Sequence, residues 1–304
     1  MNAKTVVFGT VFMDCKGFAA YRYDPFGRNV GSVKFIHGGV GRNVAEDLAA
    51  IGASVKFVSS VDDSALGAEV LARLAKKGVD VSTVRKSAHS GMGLWLVVMD
   101  EKGALAGSVS QMPDLSIMDA IVRDEGEKLV QEASCIVLEL DLNDYISSEV
   151  LRLAVKHDKK VYGITGNMEV ILRHREFLRS LECYICNDAE AGRLFDAHVA
   201  ASDPKTALAM LDEYIKKEKI KSMVITLGEH GAVYSDGSAR GYCPAIPTKV
   251  VDSSGAGDAF FAGTMEALSR GCALSEAVEK GTKLASLTIQ VIEPTCTSVI
   301  DRLF

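Results

Sequence analysis

The chain has 304 residues, of which 48% are hydrophobic and 24% charged, and 34 Lys and Arg against 40 Asp and Glu give a formal net charge of −6. This composition excludes a mainly disordered chain, and the mild acidity argues against nucleic-acid or anionic-membrane partners. The seven cysteines, an odd and scattered set, indicate reduced thiols and a cytoplasmic protein. No apolar run approaches the roughly 20 residues that span a bilayer, so we expect no membrane partner.

Short apolar runs alternate with amphipathic helical patterns along most of the chain. Several runs are continuously apolar, which is typical of strands buried on both faces of a parallel sheet. We therefore predict an α/β fold, a doubly wound, mostly parallel sheet with helices on both faces. The predicted strands are 5–12, 55–61, 135–140, 160–164, 183–186 and 222–227, and the predicted helices are 44–51, 64–77, 149–157, 169–179, 204–219 and 256–270.

Two segments interrupt this alternation. Residues 15–36 are polar and lack a helical period, and residues 91–110 have the pattern of a hairpin that turns at Gly103. We expect both segments to form a small β lid beside the main sheet. Because neither a repeat nor a linker is visible, residues 1–304 are predicted to form one domain.

The most informative stretch is Asp-Ser-Ser-Gly-Ala-Gly-Asp at 252–258. Its small residues Gly255, Ala256 and Gly257 precede an apolar helical pattern, which places a turn at a helix N-terminus. Unpaired N–H groups and the helix dipole attract anions there, and the lack of bulky side chains lets a phosphate approach. Asp258 alone could simply be an acid that suits the dipole, but this does not explain the glycines or the second carboxylate, Asp252.

Phosphoryl transfer requires positioning and the neutralisation of charge on the transferred oxygens. The amides of residues 255–258 can form an anion hole, and Asp258 is then the candidate general base for an attacking hydroxyl. The lid would exclude water from the reaction.

The motif at 252–258 resembles the signature of the PfkB, or ribokinase-like, carbohydrate and nucleoside kinases. A second stretch, Gly-Gly-Val-Gly-Arg-Asn at 38–43, resembles the N-terminal signature of the same family. The resemblance runs along nearly the whole chain and in the expected order. It implies a kinase that uses ATP as the phosphoryl donor, with Mg²⁺ bridging the phosphates of the ATP, to phosphorylate a primary hydroxyl of a sugar or nucleoside.

The resemblance also implies roles for individual residues. Asn187 and Glu190 match an Asn-x-x-Glu element that shapes the Mg²⁺ and phosphate environment, although they would also suit a helix cap. Thr226 lies in the matching nucleotide loop, and Asp252 with Ser254 matches positions that border a K⁺ site in many relatives. The substrate-side matches are Asp14, Gly38, Gly39, Asn43 and Gln111, and the implied ATP-binding residues are Asn187, Thr226, Gly228 and Gly231.

Within the family, the sequence resembles most the subgroup that converts pseudouridine to pseudouridine 5′-phosphate. It departs from that subgroup at Gln111, where an Asp is expected, at residues 91–94, and at residues 164–167. The first two departures lie in the expected substrate wall, so a kinase for another nucleoside or furanose, such as ribose or adenosine, stays open. A ligand-binding pseudokinase of the same fold is a further alternative, but the intact Asp258 argues against it. A dehydrogenase would need a dinucleotide fingerprint that the sequence lacks.

Three other features carry less weight. Cys183 and Cys186 have C-x-x-C spacing, but on a strand they would face opposite sides, which disfavours shared zinc. Trp95 could stack on a substrate, although an aromatic residue on a strand more often belongs to the core or an interface. The lid could also be the interface of a homodimer, because a two-stranded ribbon is marginal alone.

Overall fold

The computed structural model describes residues 4–140 and 142–296. Within them lie a central sheet, a second sheet, a third sheet of two short strands, and helices on both faces of the central sheet. The strands are β1 Lys4–Phe8, β2 Phe12–Ala19, β3 Gly31–Gly38, β4 Ser54–Val58, β5 Ser60–Asp62, β6 Arg85–Ser87, β7 Gly93–Met99, β8 Leu105–Gln111, β9 Cys135–Glu139, β10 Lys160–Ile164, β11 Cys183–Asn187, β12 Met223–Thr226, β13 Ala232–Ser235 and β14 Arg240–Cys243. The helices are α1 Val40–Ala50, α2 Ala65–Lys76, α3 Ser116–Glu132, α4 Asp144–Lys156, α5 Glu169–Arg173, α6 Asp188–Phe195, α7 Pro204–Glu218, α8 Ala256–Ser269 and α9 Leu274–Thr288.

The central sheet has the strand order β14-β13-β12-β11-β10-β9-β1-β4. The strands from β12 to β4 pair in parallel, and β13 and β14 pair antiparallel at one edge. One buried apolar layer packs α3, α4 and α7 on the sheet, and the other packs α1, α2, α8 and α9 on the opposite face. The predicted doubly wound, mostly parallel sheet is therefore confirmed.

The topology switches direction between β1 and β9. The chain leaves β1 for the β4 edge and later returns to place β9 on the other side of β1. In open parallel sheets, ligands bind at the carboxyl ends of the strands beside such a switch point. Residues 9–11 and Glu139 lie at those ends.

The second sheet has the order β3-β2-β7-β8 and contains the segments expected to form the lid. The first strand differs from its prediction, because β1 ends at Phe8 and β2 begins at Phe12 rather than one strand covering 5–12. The break lies where α1 crosses the chain: a Cβ on Gly9 would come within 2.5 Å of the Cα of Gly41. The chain therefore leaves the central sheet here and enters the lid.

Other helix boundaries also differ from their predictions. α1 begins at Val40 rather than 44, so Asn43 lies inside its first turn. The helix predicted at 169–179 is two pieces, α5 and a 3₁₀ helix at Arg175–Ser180, because His174 between them has a non-helical backbone with φ −126° and ψ 57°. α3, α6 and α9 were not among the predicted helices.

None of the seven cysteines, all of which lie within the described residues, is in a disulfide. Cys183 and Cys186 belong to the apolar layers on opposite faces of the sheet, as their spacing predicted. Among the described helices, none has both the length and the apolar character needed to cross a bilayer.

The chain after α9 packs against the start of α8. Residues 293–296, which we call the C-terminal segment, are held by α1 and α2: Arg73 Nη1 lies 2.8 Å from Glu293 Oε2, and the Cys296 amide donates to Asp47 Oδ1 at 2.7 Å. Gly255, just before α8, has a φ of +76°, and a Cβ there would come within 1.8 Å of the Pro294 carbonyl oxygen. Only glycine fits between this segment and the turn.

We therefore expect Gly255→Ala to lower the free energy of unfolding by about 1–3 kcal/mol, because it combines a left-handed backbone with a steric clash. Gly257→Ala is the matched control, since no atom lies within 4 Å of its added Cβ. The control should be neutral or more stable by up to about 1 kcal/mol. Urea unfolding of both variants measures this, and equal losses of stability would contradict it.

Candidate active site

The N-terminal turn of α8 presents backbone donors next to a carboxylate. The Ala256 amide donates to the Ser253 carbonyl at 3.2 Å, and the Ala259 amide donates to the Gly255 carbonyl at 2.9 Å. The amides of Gly257 and Asp258 occupy first-turn positions, which have no acceptor within the helix. Of the amides at 255–258 that were expected to form an anion hole, that of Ala256 is thus engaged within the turn, and Gly257 faces open space.

Asp258 lies in the same turn and is half-buried. The pKa of its carboxyl is raised to about 7, mainly by burial and in smaller part by the nearby charges of Glu139 and Glu190. A hydrogen bond from Asn43 and the charge of Arg42 oppose this rise. A carboxyl with a pKa near neutrality can both accept and release a proton under physiological conditions, as a general base requires.

Asn43 connects α1 to this carboxylate. Its Nδ2 donates to Asp258 Oδ2 at 2.6 Å. α1 can begin close to β1 because its N-cap, Gly39, has a φ of +99° and lies against the Thr10 carbonyl, where a Cβ would come within 2.5 Å. The glycine therefore allows the start of α1, and with it Asn43, to lie against the chain that follows β1.

Asp14 lies on β2, at the base of the lid. An ideal Cβ on Gly38 would come within 2.9 Å of Asp14 Oδ1, so the glycine leaves room for the carboxylate. Burial raises the pKa of Asp14, and the charges of Lys16 and Arg42 oppose the rise. The structure thus brings the predicted residues Asp14, Gly38, Gly39, Asn43 and Asp258 to one region at the carboxyl ends of the strands.

Glu139, at the end of β9, was not among the predicted site residues. It is buried, and its carboxylate accepts hydrogen bonds from the Thr10 amide at 2.8 Å and the Gly41 amide at 3.1 Å. It therefore ties the chain after β1 to the start of α1. A carboxylate at the end of the otherwise apolar run 135–140 was the sequence signal that could have revealed it.

Arg42 lies within the motif at 38–43 and was not among the predicted site residues, but it is fully buried beside Asn43. Its guanidinium donates to Glu46 Oε2 at 2.9 Å and contacts the side-chain oxygen of Asn43. A charged residue within an apolar helix pattern was the available signal, since charged side chains are rarely buried without a partner.

The residues expected on the nucleotide side lie at the ends of β11 and β12. Asn187 and Thr226 are paired neighbours in the sheet. Asn187 caps α6 by accepting from the Glu190 amide at 2.9 Å, and Glu190 Oε2 accepts from the Asn187 amide at 2.8 Å. Gly228 and Gly231, with φ of +57° and +88°, bound the 3₁₀ turn Gly228–His230 after β12.

Asp252 and Ser254 form a tight turn ahead of α8. Asp252 Oδ1 accepts from the Ser254 amide at 2.8 Å, and Lys16 of the lid lies 3.4 Å from Ser254 Oγ. The lid therefore reaches the turn that precedes the candidate anion hole. Across residues 4–140 and 142–296, no group of three or more His, Cys, Asp and Glu side chains is arranged to hold a metal ion.

The lid register separates two residues considered for the substrate wall. Asp14 is paired with Trp95, and directly paired residues point to the same face of a sheet. Gln111 is instead paired with Leu94, so it lies on the other face, and its amide donates to Ser90 Oγ at 3.2 Å. The structure thus brings Trp95, and not Gln111, onto the face that carries Asp14.

Comparison with solved structures shows the same fold. The structure of Arabidopsis thaliana ribokinase in complex with ribose and ATP superposes with a TM-score of 0.84 at 21% identity, covering 100% of this chain and 99% of that one. A putative sugar kinase from Clostridium perfringens superposes with a TM-score of 0.81 at 23% identity, covering 98% and 93%.

Curated relatives cover nearly the whole chain. Guanosine-inosine kinase of Exiguobacterium acetylicum is 33% identical over 95% of each chain, and pseudouridine kinase of Escherichia coli is 24% identical over 93% of this chain and 90% of that one. The model of the pfkB family carbohydrate kinases matches residues 2–299. The chain therefore belongs to the pfkB family of carbohydrate kinases and is a phosphotransferase with an alcohol group as acceptor.

Proposed function

We propose that this protein transfers the terminal phosphoryl group of ATP to the primary, 5′-type hydroxyl of a nucleoside. One observation carries the proposal: a carboxyl whose pKa is raised to about 7, that of Asp258, lies beside two first-turn amides of α8. Asn43 holds this carboxylate on the side that faces the substrate residues. Residues 1–304 act together as a single kinase domain with the lid at 15–36 and 91–110.

In the proposed reaction, Asp258 accepts the proton of the attacking hydroxyl. The hydroxyl oxygen forms the new bond to phosphorus, while the bond between phosphorus and the oxygen bridging to the β-phosphate breaks. The Gly257 and Asp258 amides donate hydrogen bonds to the transferred oxygens, where charge must be neutralised. Asp14 is proposed to bind hydroxyls of the sugar ring.

On the donor side, Asn187, Thr226, Gly228 and Gly231 are proposed to border the ATP. Mg²⁺ commonly binds through one or two carboxylates together with substrate phosphates. Glu190 is the proposed carboxylate of that environment, and the metal would neutralise phosphate charge. K⁺ at the turn of Asp252 and Ser254 stays a prediction.

The substrate class rests on relatives and on Trp95. The more similar relative acts on guanosine and inosine, and this favours a purine nucleoside over the pseudouridine suggested by motifs alone. Trp95 is half-buried on the face that carries Asp14 and is paired with it. An aromatic ring at that place can stack on a nucleobase while Asp14 binds the sugar, whereas a bare sugar such as ribose would leave the ring unused.

We further propose that the lid forms a homodimer. Phe35, Leu96 and Val109 lie in one row across the lid sheet, and 62%, 48% and 68% of their respective surfaces are exposed. An exposed apolar row of this kind typically marks an interaction surface. A second lid is a partner of matching shape, because the same row occurs on each copy.

Asp258→Asn should lower kcat by a factor of about 10² or more and leave the KM for ATP within about twofold, because the amide cannot accept the proton. In the wild type, kcat should fall as the pH drops below about 7, where the carboxylate becomes protonated. Steady-state assays over pH 5–9 measure both effects. Asp63→Asn, at an exposed ion pair with Lys86, is the control and should change neither. A near-normal kcat in Asp258→Asn would remove this residue from the role of base.

Trp95→Ala should raise the KM for guanosine and inosine by roughly 5- to 100-fold, the range expected from losing one aromatic–base stack. The KM for ATP should stay within twofold. The assay covers guanosine, inosine, adenosine, pseudouridine and ribose with wild-type and variant enzyme. If ribose is the preferred substrate, or if Trp95→Ala affects ribose and nucleosides equally, the nucleoside proposal is wrong.

The dimer is tested by light scattering coupled to gel filtration. The wild type should have twice the mass of one chain, and Leu96→Asp should reduce it to a single chain because burying a charge in the interface is costly. Ser108→Asp, on the opposite face of the neighbouring strand, is the control and should stay dimeric. A monomeric wild type would refute the interface.

A further inference from the structure

Arg42 makes an unusual set of contacts for a fully buried side chain. Besides its bonds to Glu46 and Asn43, its Nε donates to the Gly38 carbonyl at 3.2 Å and its Nη2 contacts the His37 carbonyl. The guanidinium therefore touches the backbone just before α1 and two side chains of α1. Its planar arrangement of donors suits several acceptors at once, which a lysine cannot reproduce.

The charge of Arg42 is balanced by Glu46, which Arg73 also contacts. Arg73 Nη2 lies 2.9 Å from Glu46 Oε1, and Thr295 Oγ1 donates to the same oxygen at 2.9 Å. Burial by itself would raise the pKa of Glu46, but the two arginines outweigh it and hold that pKa below its ordinary value. The ionised carboxylate of Glu46 thus holds the Arg42 side chain in a single rotamer.

The contact to Asn43 determines which way its amide points. A guanidinium only donates hydrogen bonds, so the Asn43 atom facing it must be the carbonyl oxygen. The Asn43 nitrogen then has to face the other way, and it donates to Asp258 Oδ2 at 2.6 Å. If the amide were reversed, its oxygen would lie against the carboxylate and repel it.

We propose that Arg42 is a positioning residue of the phosphoryl transfer: its guanidinium fixes the Asn43 amide so that Asn43 donates to the base Asp258 and leaves the other carboxylate oxygen for the substrate hydroxyl. The proposal rests on the proposed role of Asp258. Arg42 touches neither substrate nor nucleotide in it and acts through Asn43.

The charged groups around Asp258 determine how a substitution of Arg42 should change the pH dependence of kcat. Glu139 at the end of β9 and Glu190 on α6 raise the pKa of Asp258, whereas Arg42 and the Asn43 bond from α1 lower it. Asp47, also on α1, is buried and interacts electrostatically with Asp258. Lys16 approaches from the lid through Ser254. Loss of the oriented amide should therefore raise the pKa of Asp258. The acid limb of the pH profile, where kcat falls as the pH drops, should then move to higher pH.

The experiment compares Arg42→Lys with Arg73→Lys in the full-length enzyme. Arg42→Lys should lower kcat about tenfold or more, as expected for losing one hydrogen bond to a charged group, with the KM for ATP within twofold and the acid limb at higher pH. Arg73→Lys removes the forked guanidinium that binds the same Glu46, and Arg73 does not act on Asn43. It should lower the melting temperature but leave kcat within twofold and the acid limb unmoved.

A second variant covers the case in which Arg42→Lys does not fold. Arg42→Met combined with Glu46→Met replaces the buried pair by apolar side chains, a change that is often neutral for stability. It should show the same fall in kcat and the same shift of the acid limb. A folded variant of either kind with a wild-type kcat and acid limb overturns the proposal, as does a loss of kcat with an unmoved limb. A wild-type enzyme without an acid limb near pH 7 instead overturns the assignment of Asp258 as base, and the role of Arg42 with it.

Discussion

The hydrogen bond between Asn43 and Asp258 joins the N-terminal turns of α1 and α8, and the candidate active site depends on this meeting. Both helices direct their positive dipole ends toward the carboxyl ends of the parallel strands, where the topology switches between β1 and β9. Glycine lies at each helix start, where a side chain would clash with neighbouring backbone. Gly39 lies against Thr10, and Gly255 lies against Pro294.

Burial of the polar groups near this hydrogen bond has two consequences. It raises the pKa of Asp258 into the range where a carboxylate is a useful base. It also makes every unpaired charge costly, so Arg42, Glu46 and Glu139 are held by several hydrogen bonds each. The polar groups beneath the site are therefore a connected network, and the C-terminal segment is part of it through Thr295.

The lid gives the site a second wall. Asp14 and Trp95 share the face turned to the site, while Phe35, Leu96 and Val109 share the outer apolar face. One thin sheet thus has two proposed tasks, contact with substrate on one side and contact with a second lid on the other. A kinase benefits from such a wall, because excluding water protects the nucleotide from hydrolysis.

Much of this arrangement is local in origin and was predictable. Continuous apolar runs predicted the buried parallel strands, and the small residues at 255–257 predicted an exposed helix start with Asp258 in its first turn. The motif at 38–43 predicted that Gly38, Gly39 and Asn43 belong to a site. Boundaries set by tertiary contacts were less predictable: the break after Phe8, the start of α1 at Val40 and the split at His174 depend on chain crossings and backbone angles that no local pattern encodes.

The amino-acid sequence by itself determined the fold class and the turn ahead of α8, because periodicity and turn chemistry act over a few neighbouring positions. The family was indicated by the resemblance of the motifs at 38–43 and 252–258. Only the tertiary structure decided that Asn43 donates to Asp258 across 215 positions, that Glu139 joins β1 to α1, that Arg42 is buried behind Asn43, and that Gln111 lies on the other face of the lid from Asp14. These facts depend on strand register and on close backbone approach between distant segments. Both are set when the two apolar layers pack, and neither is visible in the order of residues alone.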